Sequence, residues 1–212
     1  MHSRRITIIN MGVAYLPLDA LLIMIEGDNG QRMRQLFAEY RCTHAHARGS
    51  VANHQAWEGG FWDHITETLN IAKNQYEWME ACRPLEFSLS DALLVLCSHD
   101  MEKIVRFNQD GTETELLQTK SDKAEFRLRL LESYGIILTS EQSNALRYAE
   151  GVRDNEYSNR YRVMSPLACF VHMCDLASAR IWFDYPQSSN DPWRGAHRNI
   201  GRICVANDTP IQ

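Results

Sequence analysis

The sequence predicts an all-α protein, and three observations support that prediction. Apolar residues recur at three- and four-residue steps along several segments, which is the spacing of one helical face. Ser, Thr or Pro stands at the start of several of these segments, where such residues favour helix initiation. Only one stretch carries a hairpin signal: Asp110-Gly111 predicts a small irregular hairpin over residues 105–117.

Seven helices follow from these patterns. They are expected at residues 17–26, 29–43, 59–82, 90–103, 121–134, 139–150 and 164–183. Ser88 or Ser90 is expected to cap the fourth, and Thr139 or Ser140 the sixth. Residues 44–58 are expected to form a loop that Gly59-Gly60 lets pack close to the next helix.

Composition favours an ordinary globular domain. The chain has 212 residues, of which 44% are hydrophobic and 23% charged, enough for one domain with a substantial core. A net charge of -5 argues against a protein that binds nucleic acid mainly through a basic surface. A nucleotide substrate is still compatible with it, because a metal ion or a few local cations can neutralise phosphate.

The cysteines and the N-terminus favour a reduced, cytoplasmic protein. Six cysteines are scattered without a Cys-x-x-Cys pair, which is atypical of a disulfide framework. Polar residues and Pro17 interrupt the apolar N-terminal stretch. No segment reaches the roughly 18 apolar residues that span a bilayer, so no membrane association is expected.

Four residues form a candidate metal site. His64 lies early in the third predicted helix, His99-Asp100 ends the fourth, and Asp175 lies within the apolar last helix. Taken singly, each histidine could equally be a surface residue and each aspartate a hydrogen-bonded buried carboxylate. Together, two imidazoles and two carboxylates suit Zn, Mn, Fe, Co or Ni and leave positions for water and a phosphate oxygen.

The motifs around these residues resemble the HD-domain metal-dependent phosphohydrolase superfamily, whose pattern is His, His-Asp, Asp. "NHQAWEGGFWDH" (Asn53–His64) is similar to the His-x-x-x-x-Gly-Gly-x-x-x-His motif of one branch. That branch contains bacterial 3′–5′ exoribonucleases and related nucleotide hydrolases. "SHDMEKI" is similar to the His-Asp-x-Gly-Lys turn, and "LACFVHMCDLASAR" to the helix that supplies the final aspartate. The resemblance covers about residues 50–183.

The resemblance implies a domain organisation and a ligand set. Residues 46–185 would be an HD helical bundle, 1–45 an N-terminal helical extension packed on it, and 186–212 an irregular tail. One divalent ion (Mn, Co, Zn, Fe, Ni or Mg) would be the cofactor. Its ligands would be His64, His99, Asp100 and Asp175. Glu150 stands where relatives have a histidine, which favours a single ion. A second ion stays open, because a carboxylate can also be a ligand.

The resemblance also implies roles for residues around the metal. Asp100 would orient the attacking water, Lys103 would contact the substrate phosphate or pair with Asp100, and Glu150 would be an acid facing the substrate. Other substrate contacts are expected from His54, Trp57, Lys103, Arg153 and Arg160. Trp57 could stack on a base or anchor the core, and His54 could be a surface residue of its loop. Arg180 is expected on a different helical face from Asp175. Glu102 replaces the glycine of the family turn.

These observations predict a phosphohydrolase of a small nucleotide, most simply a deoxynucleoside or nucleoside mono- or triphosphate. Exonucleolytic or phosphodiester cleavage of oligonucleotides or cyclic nucleotides is the alternative. A non-catalytic sensor of metal or nucleotide is a further one. No stable nucleic-acid partner is expected, and a homo-oligomer stays open.

Overall fold

The computed structural model describes residues 13–152, 156, 158, 160–185 and 191–198. Within them the secondary structure is helical, and the all-α fold class is confirmed. The helices are α1 (Leu18–Ile23), α2 (Gly27–Thr43), α3 (Gly60–Cys82), α4 (Leu89–Ser98), α5 (Lys103–Arg106), α6 (Lys120–Ser133), α7 (Ser140–Arg147) and α8 (Pro166–Leu176). A π-helical turn, Ala177–Ile181, continues α8.

Helix α3 is the centre of the molecule. Its first thirteen residues, from Gly60 to Ala72, are all buried, whereas a surface helix buries only one stripe. Helices α1, α4 and α8 and the π-helical turn pack around it. Leu21 and Phe37 of the first two helices belong to the same apolar cluster as Trp62 of α3. The N-terminal helices therefore share the core that holds the candidate site.

The predicted helix 90–103 is interrupted. Helix α4 ends at Ser98, and α5 begins only at Lys103. Ser98 Oγ donates to the Leu94 carbonyl, and the His99 ring bonds to the Leu96 carbonyl. These side chains take carbonyl groups that a continuing helix would use. His99 and Asp100 consequently lie in a turn instead of on a helical face.

The predicted hairpin is reduced to one isolated antiparallel bridge between Phe107 and Glu113. Helix α5 already occupies residues 103–106, so the strand predicted to start at residue 105 is absent. Asp110 and Gly111 do form a turn, because the backbone N–H of Asn108 donates to Thr112 at 2.8 Å across it.

Two other helix ends differ from prediction. Thr139 caps α7 through a capping box with Gln142, but the helix stops at Arg147 and not at residue 150. The last helix begins at Pro166 and changes to π-helical geometry after Leu176. The Trp182 N–H donates to the Ala177 carbonyl at 3.2 Å, five residues back. This widening changes which residues share a face.

None of the described helices is long and apolar enough to cross a membrane. Of the predicted C-terminal tail, only residues 191–198 are described, and they form turns without helix.

Candidate metal centre

The four predicted ligands converge on one point from three parts of the fold. His64 projects from α3, His99 and Asp100 from the turn after α4, and Asp175 from α8. His64 Nε2 lies 3.1 Å from Asp175 Oδ1 and 3.5 Å from Asp100 Oδ2. His99 Nε2 lies 3.2 Å from Asp100 Oδ2 and 3.4 Å from Asp175 Oδ1. Two ring nitrogens and two carboxylate oxygens therefore face one another.

These donors fit a divalent metal ion. The Nε2 atoms of His64 and His99 are buried and make no hydrogen bond within the described structure, although buried polar atoms normally have a partner. His99 Nδ1 lies 2.7 Å from the Leu96 carbonyl oxygen. A carbonyl can only accept, so Nδ1 carries a proton and Nε2 is the atom that faces the carboxylates. Burial would lower the pKa of His99, but the charges of Asp100 and Asp175 raise it well above its usual range, so a metal ion bound at Nε2 would displace a proton. Imidazole nitrogen with carboxylate oxygen is a ligand set for Zn, Mn, Fe or Co.

The electrostatics of the cluster favour a bound cation. Burial alone would raise the pKa of Asp100, but the charges of His99 and Lys103 outweigh it and hold that pKa well below its usual range. Burial is likewise outweighed at Asp175, whose pKa is lowered by the adjacent His64 and His99 rings. Both carboxylates are therefore ionised and attract positive charge. Burial lowers the pKa of His64, which keeps its ring neutral, as a metal ligand must be.

Lys103 and His54 lie directly beside the cluster. Lys103 Nζ is 2.5 Å from Asp100 Oδ2 and 3.2 Å from His54 Nε2. Burial, together with the nearby His64 and Lys103, lowers the pKa of His54 to about 3. Its ring is therefore neutral, and its Nε2 accepts a hydrogen bond from the Lys103 ammonium group. Of the two roles predicted for Lys103, the pairing with Asp100 is the one present. His54, His64 and Asp100 also have donor atoms within 4.8 Å of one another.

Close backbone contacts hold the loop that carries His54. Ser50 Oγ donates to the His54 carbonyl at 2.8 Å, and the Gln55 N–H donates to the Phe183 carbonyl at 2.7 Å. A Cβ atom at Gly60 would lie 1.9 Å from the Gln55 carbonyl oxygen. Glycine at this position thus allows the loop to pack against the start of α3, as expected from the sequence.

The cluster lies at one end of an open cavity of about 670 Å³. Four carboxylates line it, two of which belong to the cluster. Seven cationic side chains outnumber them: Lys103, Arg106, Lys120, Lys123, Arg127, Arg147 and Arg180. We call this surface the cationic wall. It is locally positive, although the net charge of the whole chain is -5.

Glu102 and Glu150 both interact with Arg127 of α6. Arg127 Nη1 lies 3.4 Å from Glu102 Oε2 and 3.8 Å from Glu150 Oε1, and it also donates to the His99 carbonyl. Burial, followed by the charge of Asp100, raises the pKa of Glu102. Glu102, which stands where the HD-domain motif has glycine, therefore connects the His-Asp turn to α6. Glu150 is half-exposed in the cavity lining and pairs with cations there.

Two predicted substrate contacts lie away from the cavity lining. Trp57 Nε1 donates to Asp63 Oδ2 at 2.9 Å, and the Arg198 guanidinium lies 5.6 Å from the centre of its ring. This position does not support stacking on a substrate base and agrees better with an anchoring role. Arg160 is exposed and not part of the lining. Arg153 lies outside the described residues.

Most of the cationic wall was missed at the level of sequence. Lys120, Lys123 and Arg127 recur at three- and four-residue steps on α6, and that spacing was the available signal for a cationic face. Arg180 was expected on a different face from Asp175, and that expectation is wrong. The π-helical turn brings Arg180 to the same cavity as Asp175.

The fold and the site together define a class: a helical protein in which two imidazoles and two carboxylates converge beside a cationic wall. Comparisons of the chain with models of protein families, with curated proteins and with solved structures find no significant match. The HD-domain resemblance stays a prediction from the motifs.

Proposed function

We propose that this protein is an HD-type, divalent-metal-dependent phosphohydrolase that acts on a nucleotide. The observation that supports this most is the convergence of the unpartnered Nε2 atoms of His64 and His99 with Asp100 and Asp175. The cluster opens onto the cationic wall. An anionic substrate and a water molecule could meet there beside a bound cation.

His64, His99, Asp100 and Asp175 would hold one ion, which when bound supplies Lewis-acid activation of water and of a phosphoryl oxygen. The Lys103 ammonium, beside Asp100, would neutralise charge that develops on the phosphoryl oxygens. His54, neutral and hydrogen-bonded to Lys103, would orient that ammonium. A second ion would need His54 and Asp100 as ligands. The Lys103 ammonium already lies between these two side chains, which favours a single ion.

The cationic wall favours a substrate with more than one phosphate. A monophosphate carries a charge of about -2, whereas the seven lining cations and one divalent ion together exceed the four lining carboxylates by about five positive charges. Further cations such as Lys123, Arg127 and Arg147 extend the positive surface. No Phe, Tyr or Trp occurs among the described lining residues, so recognition would depend on phosphates more than on base stacking. We therefore place a nucleoside triphosphate ahead of a monophosphate.

Exonucleolytic cleavage is the second candidate, because an open cavity with a cationic lining could also accept the end of an oligonucleotide. Single-strand binding normally adds aromatic side chains on which bases stack. Their absence from the described lining ranks this activity below nucleotide hydrolysis.

An activity panel with a metal-site variant tests the proposal. Nucleoside mono- and triphosphates, dinucleotides and short oligonucleotides are assayed with Mn, Co, Zn, Ni, Fe or Mg. Asp100→Ala should lose bound metal and at least about 1,000-fold of turnover, while circular dichroism stays unchanged. Asp19→Ala removes an exposed carboxylate paired with Arg41 and should match the wild type.

Undiminished turnover in Asp100→Ala would disprove the metal mechanism. Turnover of oligonucleotides alone would favour the exonuclease. Metal binding without turnover of any member of the panel would favour a sensor.

A further inference from the structure

A buried chain of hydrogen bonds lies behind His64, on the Nδ1 side of its ring. His64 Nδ1 is 3.0 Å from Ser178 Oγ, and Ser178 Oγ donates to Glu67 Oε2 at 2.7 Å. Gln55 Nε2 donates to the same Glu67 oxygen at 2.9 Å and lies 3.2 Å from Ser178 Oγ. All four residues are at most 1% exposed.

The hydrogen-bonding capacity of each group sets the direction of this chain. A serine hydroxyl has one proton and two lone pairs. Its proton goes to Glu67, so Ser178 Oγ can only accept from the His64 ring. The His64 proton must then be on Nδ1, which leaves the Nε2 lone pair facing Asp100 and Asp175.

Gln55 occupies another acceptor position of the chain. Its amide nitrogen can only donate, so it takes one lone pair of Glu67 Oε2. The direction of the chain is set by Glu67, whose Oε2 accepts from Ser178 when the carboxylate is ionised or carries its proton on the other oxygen.

Gln55 is held in an unusual backbone conformation. Its φ is 40°, the one positive value among the described non-glycine residues, and such a conformation persists only where the surroundings hold it. Its side chain also donates to the Tyr185 carbonyl at 2.9 Å. Three segments therefore meet behind His64: the loop before α3, α3 itself and the chain that follows α8.

His99 shows the contrast. Its Nδ1 proton goes to a backbone carbonyl, that of Leu96, which no side-chain substitution removes. The tautomer of His64 depends instead on the side chains of Ser178 and Glu67.

We propose that Ser178 and Glu67 are positioning residues that hold His64 in its Nδ1–H tautomer, with Gln55 donating to Glu67 beside them. The inference rests on the metal role proposed for His64. Outer partners of this kind typically change metal affinity by about 10- to 100-fold when they are removed.

The test uses the full chain and two readouts. The first is affinity for Zn²⁺ or Mn²⁺, measured by competition with a chelator. The second is the tautomer of His64 in the metal-free protein, read from ¹H–¹⁵N correlations of the ring nitrogens. Ser178→Ala and Glu67→Leu should weaken metal binding by about 10- to 100-fold and lose the Nδ1–H signature.

Conservative and matched variants separate positioning from packing. Glu67→Gln keeps a carbonyl oxygen that can accept from Ser178, and it should bind metal within about threefold of the wild type. Thr68→Val is the control, because Thr68 is equally buried but donates to a backbone carbonyl, that of Ile65. It should retain both the metal affinity and the His64 signature.

Wild-type affinity together with an intact Nδ1–H signature in Ser178→Ala would overturn the proposal. So would equal losses in Glu67→Gln and Glu67→Leu, since the role would then be one of packing. If the wild type itself binds no metal, the proposed function fails, and the metal-free spectra still decide whether Ser178 sets the tautomer.

Discussion

Burial does not by itself decide the charge of a side chain in this protein; its neighbours do. Asp100 is buried beside Lys103 and His99, which lower its pKa. Glu67 is equally buried, but its pKa is raised to about 9 by burial and then by the nearby carboxylates. Those carboxylates are Asp191, Asp63 and Asp184. One buried acid is thus prepared to attract a cation, and the other to keep a proton.

The raised pKa of Glu67 predicts a pH-dependent stability. The ordinary pKa is 4.5 and the folded value is about 9, so between them the folded protein holds a proton that the unfolded chain releases. The free energy of unfolding must therefore fall as pH rises. Glu67→Gln cannot titrate. From about pH 5 to about pH 8 the wild type should therefore lose about 4 kcal/mol more stability than Glu67→Gln.

Urea denaturation at a series of pH values checks this prediction. The difference between the two proteins isolates Glu67 from other titrating groups. Parallel stability curves would show that Glu67 is ionised in the folded protein.

The helices begin in two different ways. Helices α4, α6 and α7 each start with a capping box, formed by Ser88, Thr119 and Thr139 with the residue three positions later. Their starts are therefore set by local sequence. Helix α3 has no side-chain cap, and its N-cap residue Gly59 has a φ of 79°. Its start depends on contact with the loop that carries His54.

Gly60→Ala should disturb this contact. The added Cβ would meet the Gln55 carbonyl oxygen at 1.9 Å, so the loop has to move. We expect a loss of about 2–3 kcal/mol in the free energy of unfolding and weaker metal binding, since Gln55 belongs to the chain behind His64. Denaturation and metal titration measure the two effects.

Gly27→Ala is the control for Gly60→Ala. Gly27 has a φ of 67° but no heavy atom within 4 Å of an added Cβ, so backbone strain alone should cost about 1 kcal/mol and leave metal affinity unchanged. Equal effects of the two substitutions would show that the loop contact is unimportant.

Charge is unevenly distributed over the whole molecule. The chain is acidic overall, yet seven Lys or Arg side chains from several elements line one cavity. Positive charges concentrated in a cleft raise the local concentration of an anionic ligand. The net charge of the sequence therefore understates the positive charge of this surface.

Inorganic tripolyphosphate tests the cationic wall without a choice of nucleotide. It should bind the metal-loaded protein, and Lys123→Glu should weaken binding by about 10-fold, since the substitution reverses one charge. Lys73→Glu changes charge equally on α3, where Lys73 pairs with Glu77, and should have little effect. Calorimetry at two salt concentrations measures both, and equal losses would show that only net charge matters.

Prediction from sequence succeeded where the causes are local. The spacing of apolar residues along α3 and the caps of α4 and α7 involve residues a few positions apart, so a pattern indicates them directly. The predicted ends of α4 and α8 were wrong, because side-chain hydrogen bonds follow α4 and a π-helical turn follows α8 in place of regular helix. Such changes leave no periodic signal in the sequence.

The sequence by itself determined the helical class and named the four residues that converge, because helical periodicity and ligand chemistry are properties of single residues and their near neighbours. Only the tertiary structure decided what surrounds them. Ser178 lies 114 positions from the His64 that it contacts, and Gln55 lies 123 positions from Ser178. The cationic wall likewise combines α6 with the turn after α8. Contacts over such separations depend on how the helices pack, and packing is a property of the whole chain.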